Sequence, residues 1–208
     1  MTKKFAMIIA VVLIGTAACG GGDDGGADGA AASASPSATA SATARHNAQD
    51  VTFAQMMIPH HRQAVEMSRI VIKGSQDAQV RRLAQQIEKA QAPEIETMTG
   101  WLRAWGAEVP AEDGDMGAGG HGEHGAHGGG GAMHGMMTEE QMEQLGRLKG
   151  ERLDREFLTM MIEHHEGAVA MARQEQAKGA DPAARNLAAA IIRTQQAEID
   201  RMKALLKQ

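Results

Sequence analysis

Two dipeptides, His60-His61 and His164-His165, are the residues best placed to do chemistry in this 208-residue chain. Each follows a Met-Met-Ile triplet, in the strings FAQMMIPHHRQAVEMS (53–68) and FLTMMIEHHEGAVAMA (157–172). Met57-x-x-His60 and Met161-x-x-His164 set a thioether and an imidazole about one helical turn apart. Those ligand types favour copper, Cu(I) above all, over iron or manganese. Dinuclear iron bundles want Glu three positions before His, and no His in this chain has one. The composition leans the same way, with 15 Met and 9 His against 3 Phe, 2 Trp and no Tyr. Met is also ordinary core filler, the role expected of Met67, Met98, Met171 and Met202.

A second group of ligand types lies mid-chain. Residues 111–137 are chiefly Gly and Ala and carry His121, His124, His127 and His134 among Met116, Met133, Met136 and Met137. Such a segment has no apolar stripe with which to pack a core, and a His-rich tract is a compositional sign of metal binding. His121-x-x-His124-x-x-His127 could wrap three imidazoles round one ion; the bland alternative is a Gly-rich linker whose His are incidental.

The elements that must position these groups come from an internal repeat. Shifted by 104 positions without a gap, residues 50–104 match 154–208 at 21 of 55 places, from Asp50/Asp154 to Leu102/Leu206. That is a duplicated unit. Phe53, Met57, His60, Ala64, Met67 and Val71 recur at helical spacing, as do Val80, Leu83, Ile87, Gln91, Glu94, Met98 and Trp101, so each unit is a pair of amphipathic helices. Gly74 and Gly179 are expected as left-handed C-caps, Asp77 and Asp181 as N-caps, and Pro182 in a first helical turn. Thr138 with Gln141 reads as a capping box opening a third helix, interrupted near Gly146 and Gly150. A lone helix pair can bury only one face. The fold expected is therefore all-α, an antiparallel four-helix bundle of the ferritin-like kind built from two duplicated helix pairs, with local bends at Pro59 and Pro93.

On the helical wheel His60 and His164 fall mid-stripe, with His61 and His165 about 100° round, at its flank. Glu94 and Glu198 also lie on the core side, where a carboxylate is costly unless something positive or polar meets it. Two readings stay open: a structural His–Glu hydrogen-bonded pair in each copy, or a metal site in which His60, His61, His164, His165, Met57, Met161, Glu94 and Glu198 converge near the pseudo-twofold axis. Asp50 and Asp154 read as helix N-terminal carboxylates.

The N-terminus reads as an export signal. Lys3 and Lys4 precede an apolar run from Phe5 to Ile14, and small residues lead to Cys19, the only Cys. The run is too short to span a membrane as a helix. Residues 1–19 then form a lipoprotein signal peptide with Cys19 lipidated, although Thr16 stands where that motif more often has Leu, and residues 20–45, rich in Ala, Ser, Gly and Thr, form a flexible tether to a domain over 46–208. The expected location is outside the cell membrane, lipid-anchored on its outer face or in a bacterial envelope. One Cys excludes an intramolecular disulfide. A formal charge of −5 without a basic patch gives no footprint for nucleic acid. No nucleophile triad, phosphate loop or nucleotide motif is present.

The paired strings, each followed by a helix with Glu-Ile and a Met three residues beyond that Ile, resemble the two halves of the domain of unknown function 305 family over about residues 46–207. The resemblance implies a ferritin-like four-helix fold, export, and copper binding with His60, His61, His164 and His165 at the motif; it implies no established activity. Binding or buffering of copper, as Cu(I) or Cu(II), leads. A structural or interaction module with a buried His/Glu network comes second, and a metal-dependent redox enzyme third, so a catalytic role is not the leading expectation. The metal ion and the membrane are the partners expected; nothing in the sequence names a protein partner.

Overall fold

The computed structural model describes residues 46–111 and 135–208, and among these every regular element is a helix. α1 (Ala48–Gly74) opens at Asn47, whose side chain accepts from Gln49 and Asp50 N–H, while Asp50 Oδ2 accepts from Asn47 N–H at 2.6 Å. That reciprocal box satisfies N–H groups that no helical carbonyl can reach. α2 (Ala78–Ala104) and α5 (Pro182–Leu205) start at Asp77 and Asp181, the caps read from sequence, with Pro182 in the first turn of α5. Thr138 and Gln141 box the start of α3 (Glu139–Arg147), and the chain breaks at Leu148 and Lys149 before α4 (Gly150–Lys178). The helices run on through Pro59 and Pro93 without interruption.

Gly74 and Gly179 are not the left-handed caps expected of them. Gly74 is the last residue of α1, and Gly179 is ordinary extended backbone at φ −66°, ψ 149°. What they supply is space: a Cβ on Gly74 would come within 2.7 Å of Leu153 Cδ2, and one on Gly179 would strike the Glu175 side chain.

α1 packs chiefly on α2 and α4 chiefly on α5, and the copies join where α1 meets α4. Asn47, at the start of α1, donates from Nδ2 to Lys178 O at the end of α4 (2.8 Å), whereas Gly74 closes on Leu153 near the start of α4. The two helices therefore run antiparallel. Arg201 of α5 reaches Gln86 of α2 at 2.6 Å, closing the fourth side of the antiparallel bundle. The short α3 lies against α1 and α4. No helix among the described residues is long and apolar enough to cross a membrane.

The buried apolar side chains form two clusters. One contains Met67, Ile87, Phe157, Met161 and Met202; the other contains Met171, Ile191, Phe53, Met57 and Met98. The 104-residue register exchanges each of these with its counterpart, so the duplication has produced two equivalent half-cores. On α2 the stripe departs from the wheel at its end: Glu94 and Trp101 are half-buried, and Leu102 takes the buried position.

Candidate metal centre

Between the half-cores the interior is polar. His60, His61, His164 and His165 are 0, 0, 1 and 0 % exposed. His61 and His165 are thus not at the flank of the stripe, as the wheel placed them. α1 and α4 each touch two neighbouring long helices, so adjacent positions are both covered, as with Met57 and Ile58 or Ala64 and Val65.

His60 and His164 face each other across the α1–α4 contact with ring centroids 3.7 Å apart, tilted by 43°. His164 and His165 are 6.4 Å apart by the same measure. His61 Nε2 lies 2.7 Å from Glu94 Oε2, and His165 Nε2 lies 2.8 Å from Glu198 Oε2. One His–Glu pair per copy therefore exists, through the second His of each dipeptide. Glu94 and Glu198 keep 21 % and 13 % of their side-chain surface, so each carboxylate is at the edge of the core while its imidazole is inside.

These bonds fix chemistry. A carboxylate oxygen accepts, so Nε2 of the paired ring carries the hydrogen, and in the neutral ring Nδ1 is left as a lone pair. Nδ1 of His61 and of His165 are buried with no hydrogen-bond partner among the described residues. Burial first, and then the neighbouring His60, His165 and His61, hold His164 well below the usual histidine range, which keeps it a neutral ring.

Not every candidate is brought together. Met57 and Met161 lie in opposite half-cores. Among the described residues no three His, Cys, Asp or Glu side chains are gathered so as to hold one ion. Glu94 and Glu198 are bonded to ring nitrogens as outer carboxylates, the setting in which a metal-binding His is oriented and made more basic.

Sequence reasoning missed two neighbours of the motif. Arg62 Nη1 donates to Pro110 O at 3.0 Å and to Ala111 O. Gln63 pairs with the backbone of Met137 in both directions, at 2.8 Å each. Gly135, at φ 85°, lies so close to α4 that a Cβ would meet the backbone of Glu163 and His164. Both ends of the His- and Met-bearing segment are thereby fastened beside the histidine dipeptides. Met137 is buried and Met136 half-buried. His121, His124, His127, His134, Met133 and Cys19 lie outside the described residues. No local pattern marks Arg62 or Gln63, because their partners are 48 and 74 positions away.

Asp50 is the helix N-terminal carboxylate it was read to be, and it does more. Buried, it also accepts from Ala180 N–H and Asp181 N–H at 3.1 and 3.0 Å, tying the first copy to the α4–α5 turn.

Fold and site together define a class: a duplicated antiparallel helical bundle with consecutive histidines buried at the junction of its copies. No curated protein matches the chain. The family is nevertheless clear. The chain belongs to the domain of unknown function 305 family, whose profile matches residues 50–206. Among solved structures it is similar to a family member from Streptomyces coelicolor, described as a candidate secreted protein, at 35 % identity over 76 % of this chain and 91 % of that one, with a TM-score of 0.65. A family fragment from Deinococcus radiodurans gives 31 % identity over 78 % and 97 %, with a TM-score of 0.64. CopM in its Cu(II)-bound form gives 32 % identity over 76 % and 95 %, with a TM-score of 0.61; CopM has also been solved with Cu(I) and with silver.

Proposed function

We propose that this protein binds and buffers copper in the bacterial envelope, taking copper into its core at the two histidine dipeptides, His60-His61 and His164-His165. The thioethers of Met57 and Met161 stand one turn to either side. The observation that carries this reading is the pair of buried Nδ1 atoms on His61 and His165, which have no hydrogen-bond partner among the described residues. A buried acceptor with nothing to accept from destabilises the fold by about 1–3 kcal/mol. A cation that shares its lone pair relieves that penalty, and the Glu94 and Glu198 bonds already hold the rings in the tautomer such a cation needs. Neutral imidazole beside thioether suits Cu(I) best. The copper- and silver-bound CopM structures, at about a third identity, support the same chemistry.

His121, His124, His127 and His134, with Met133, Met136 and Met137, form a second and weaker binding region in the stretch whose two flanks are fastened by Arg62 at Ala111 and by Gln63 at Met137. A lipid on Cys19 would keep the domain where envelope copper is met; the Streptomyces coelicolor relative, described as a candidate secreted protein, supports export.

One observation favours the structural reading: each inner His–Glu bond is complete without metal. Titration separates the two. Copper added to the protein, in air and under reductant, should raise its melting temperature through preferential binding to the native state. A melting temperature that copper leaves unchanged in both conditions overturns the core site and leaves the structural network.

A further inference from the structure

Among the buried methionines of each half-core are three that the 104-residue register exchanges, Met137 and Met160 being further ones in the first half, and a buried carboxamide lies one turn from an isoleucine of each. Met67, Met161 and Met202 belong to one half, and Met171, Met57 and Met98 to the other. Five of the six are 0 % exposed and Met171 is 9 %. Their level in the bundle follows from the bonds already described. α1 and α2 are antiparallel and His61 is bonded to Glu94, so Met57, four residues before, and Met98, four residues after, stand at one height. His165 and Glu198 place Met161 and Met202 in the same way on the other side of the histidines.

The carboxamides are what filler cannot explain. Gln91 and Gln195 are each 2 % exposed, and the side-chain oxygen of each has no hydrogen-bond partner among the described residues. Ile87, one turn from Gln91, belongs to the half-core of Met161 and Met202; Ile191, one turn from Gln195, belongs to that of Met57 and Met98. Every long helix thus contributes one donor to each set. An orphaned amide oxygen inside an apolar core is unfavourable in the apo protein, and it occurs twice, at equivalent positions. Leu would fill the methionine positions with fewer rotamers to freeze. Glu94 and Glu198 lie one turn from Gln91 and Gln195, where they offset positive charge.

We propose that each half-core binds one soft monovalent cation of the Cu(I) or Ag(I) class, through Met67, Met161, Met202 and the oxygen of Gln91 on one side and the symmetry-related set with Gln195 on the other. These two sites add to the histidine centre. The inference deepens the soft-metal reading but does not depend on histidine ligation.

The test is an Ag(I) titration of the full chain carrying 13C-labelled methionine methyl groups, assigned by single Met→Leu variants. The methyl signals of Met67, Met98, Met171 and Met202 should shift together and saturate at two ions per chain above those taken by histidine. Histidine ring signals in the same titration report the other centre separately. Motionless signals from those four methyls, with response only from histidine or from methionines of the mid-chain segment, overturn the proposal. Gln91→Leu with Gln195→Leu should fold as stably as the parent, because it removes two orphaned amides, and should weaken Ag(I) at the four methyls by at least about tenfold. Unchanged affinity there overturns the proposal. Met98→Leu with Met202→Leu nearly conserves volume and should abolish the Ag(I) response of Met67 and Met171; a retained response also overturns it. In His60→Leu with His164→Leu, the methyl shifts should persist when the histidine response is gone. Their joint loss would mean one centre and no separate sites.

Discussion

His60 and His164 meet ring to ring at the crossing of α1 and α4, with centroids 3.7 Å apart and no more than 1 % of either residue exposed. Each is the 104-residue image of the other, so this contact between the copies lies on the pseudo-twofold axis that relates them. Replacing both by Leu puts apolar side chains into that contact. The apo variant should be as stable as the parent or more so, and the copper-dependent rise in melting temperature should disappear. Thermal melts with and without copper check both halves of this statement. A purely structural pair predicts the opposite, a loss of about 1–3 kcal/mol for each group left unsatisfied and no change in copper response.

Glu94 and Glu198 set the ring tautomer of His61 and His165 without being offered as ligands. Glu94→Gln with Glu198→Gln keeps the shape, yet the amide can present either a donor or an acceptor to Nε2. Copper affinity should fall by about tenfold to a hundredfold, and ring nitrogen spectra of the apo protein should change from one Nε2–H tautomer to a mixture. Unaltered affinity alongside altered tautomers would show that the metal does not use Nδ1.

Much of this architecture was legible in the sequence because it is local or repeated. The Asp77, Asp181 and Thr138 caps need only a few neighbouring residues, and the gapless register fixed the two helix pairs. The partner of each glutamate was not legible. Wheel geometry ranks positions on one helix, while the choice of His61 over His60 by Glu94 depends on how far the buried face of α1 widens once α4 also covers it. The glycines were read by conformation when the constraint was a contact: Gly74 meets Leu153 across the bundle, a relation 79 positions long that no cap pattern contains. The orphaned oxygens of Gln91 and Gln195 were hinted at only by their identity in both copies at inward positions.

The mid-chain segment can be separated from the core. Deleting residues 114–134 spares Met137, which pairs with Gln63, and Gly135, which lies on α4. The variant should unfold as cooperatively as the parent and bind fewer weakly held copper ions, counted by equilibrium dialysis. Unchanged stoichiometry would make His121, His124, His127 and His134 incidental.

Lipidation at Cys19 predicts that the parent protein partitions with membranes in a lipoprotein-processing host, and that Cys19→Ser is released or keeps its signal. Fractionation followed by mass measurement checks it; identical behaviour of the two proteins would remove the anchor.

Glu175 gives the fold its own pH dependence. Its side chain is fully buried at the end of α4 beneath Gly179, and burial, with the hydrogen bond and charge of nearby Asp50, pushes its carboxyl from 4.5 up to about 8. Asp50 moves the other way. Burial alone would raise it, but the hydrogen bond with Glu175 and those from the N–H groups of Asn47, Asp181 and Ala180 outweigh burial and leave it below 3.8. Between pH 4.5 and about 8 the folded protein holds a proton on Glu175 that the unfolded chain has released. Stability from this group is therefore complete below the unfolded value and is lost as pH rises through that window. The Asp50 contribution is present above its ordinary value and is lost only in stronger acid. His164, held well below 6.5, makes the fold less stable as pH falls beneath that value, equally in parent and variant. The difference between the two isolates Glu175. Glu175→Gln, measured with chelator present so that metal plays no part, should match the parent near pH 5 and melt higher by on the order of a few degrees near pH 8.5. Superimposable profiles would show that Glu175 does not hold its proton in the folded state. The first copy carries Val71 at the equivalent position, so the pH response should come from the contact between the start of α1 and the end of α4 alone. Hydrogen exchange near pH 8.5 should accordingly rise at Asn47, Ala180 and Asp181 before it rises at the Asp77 cap of the other turn.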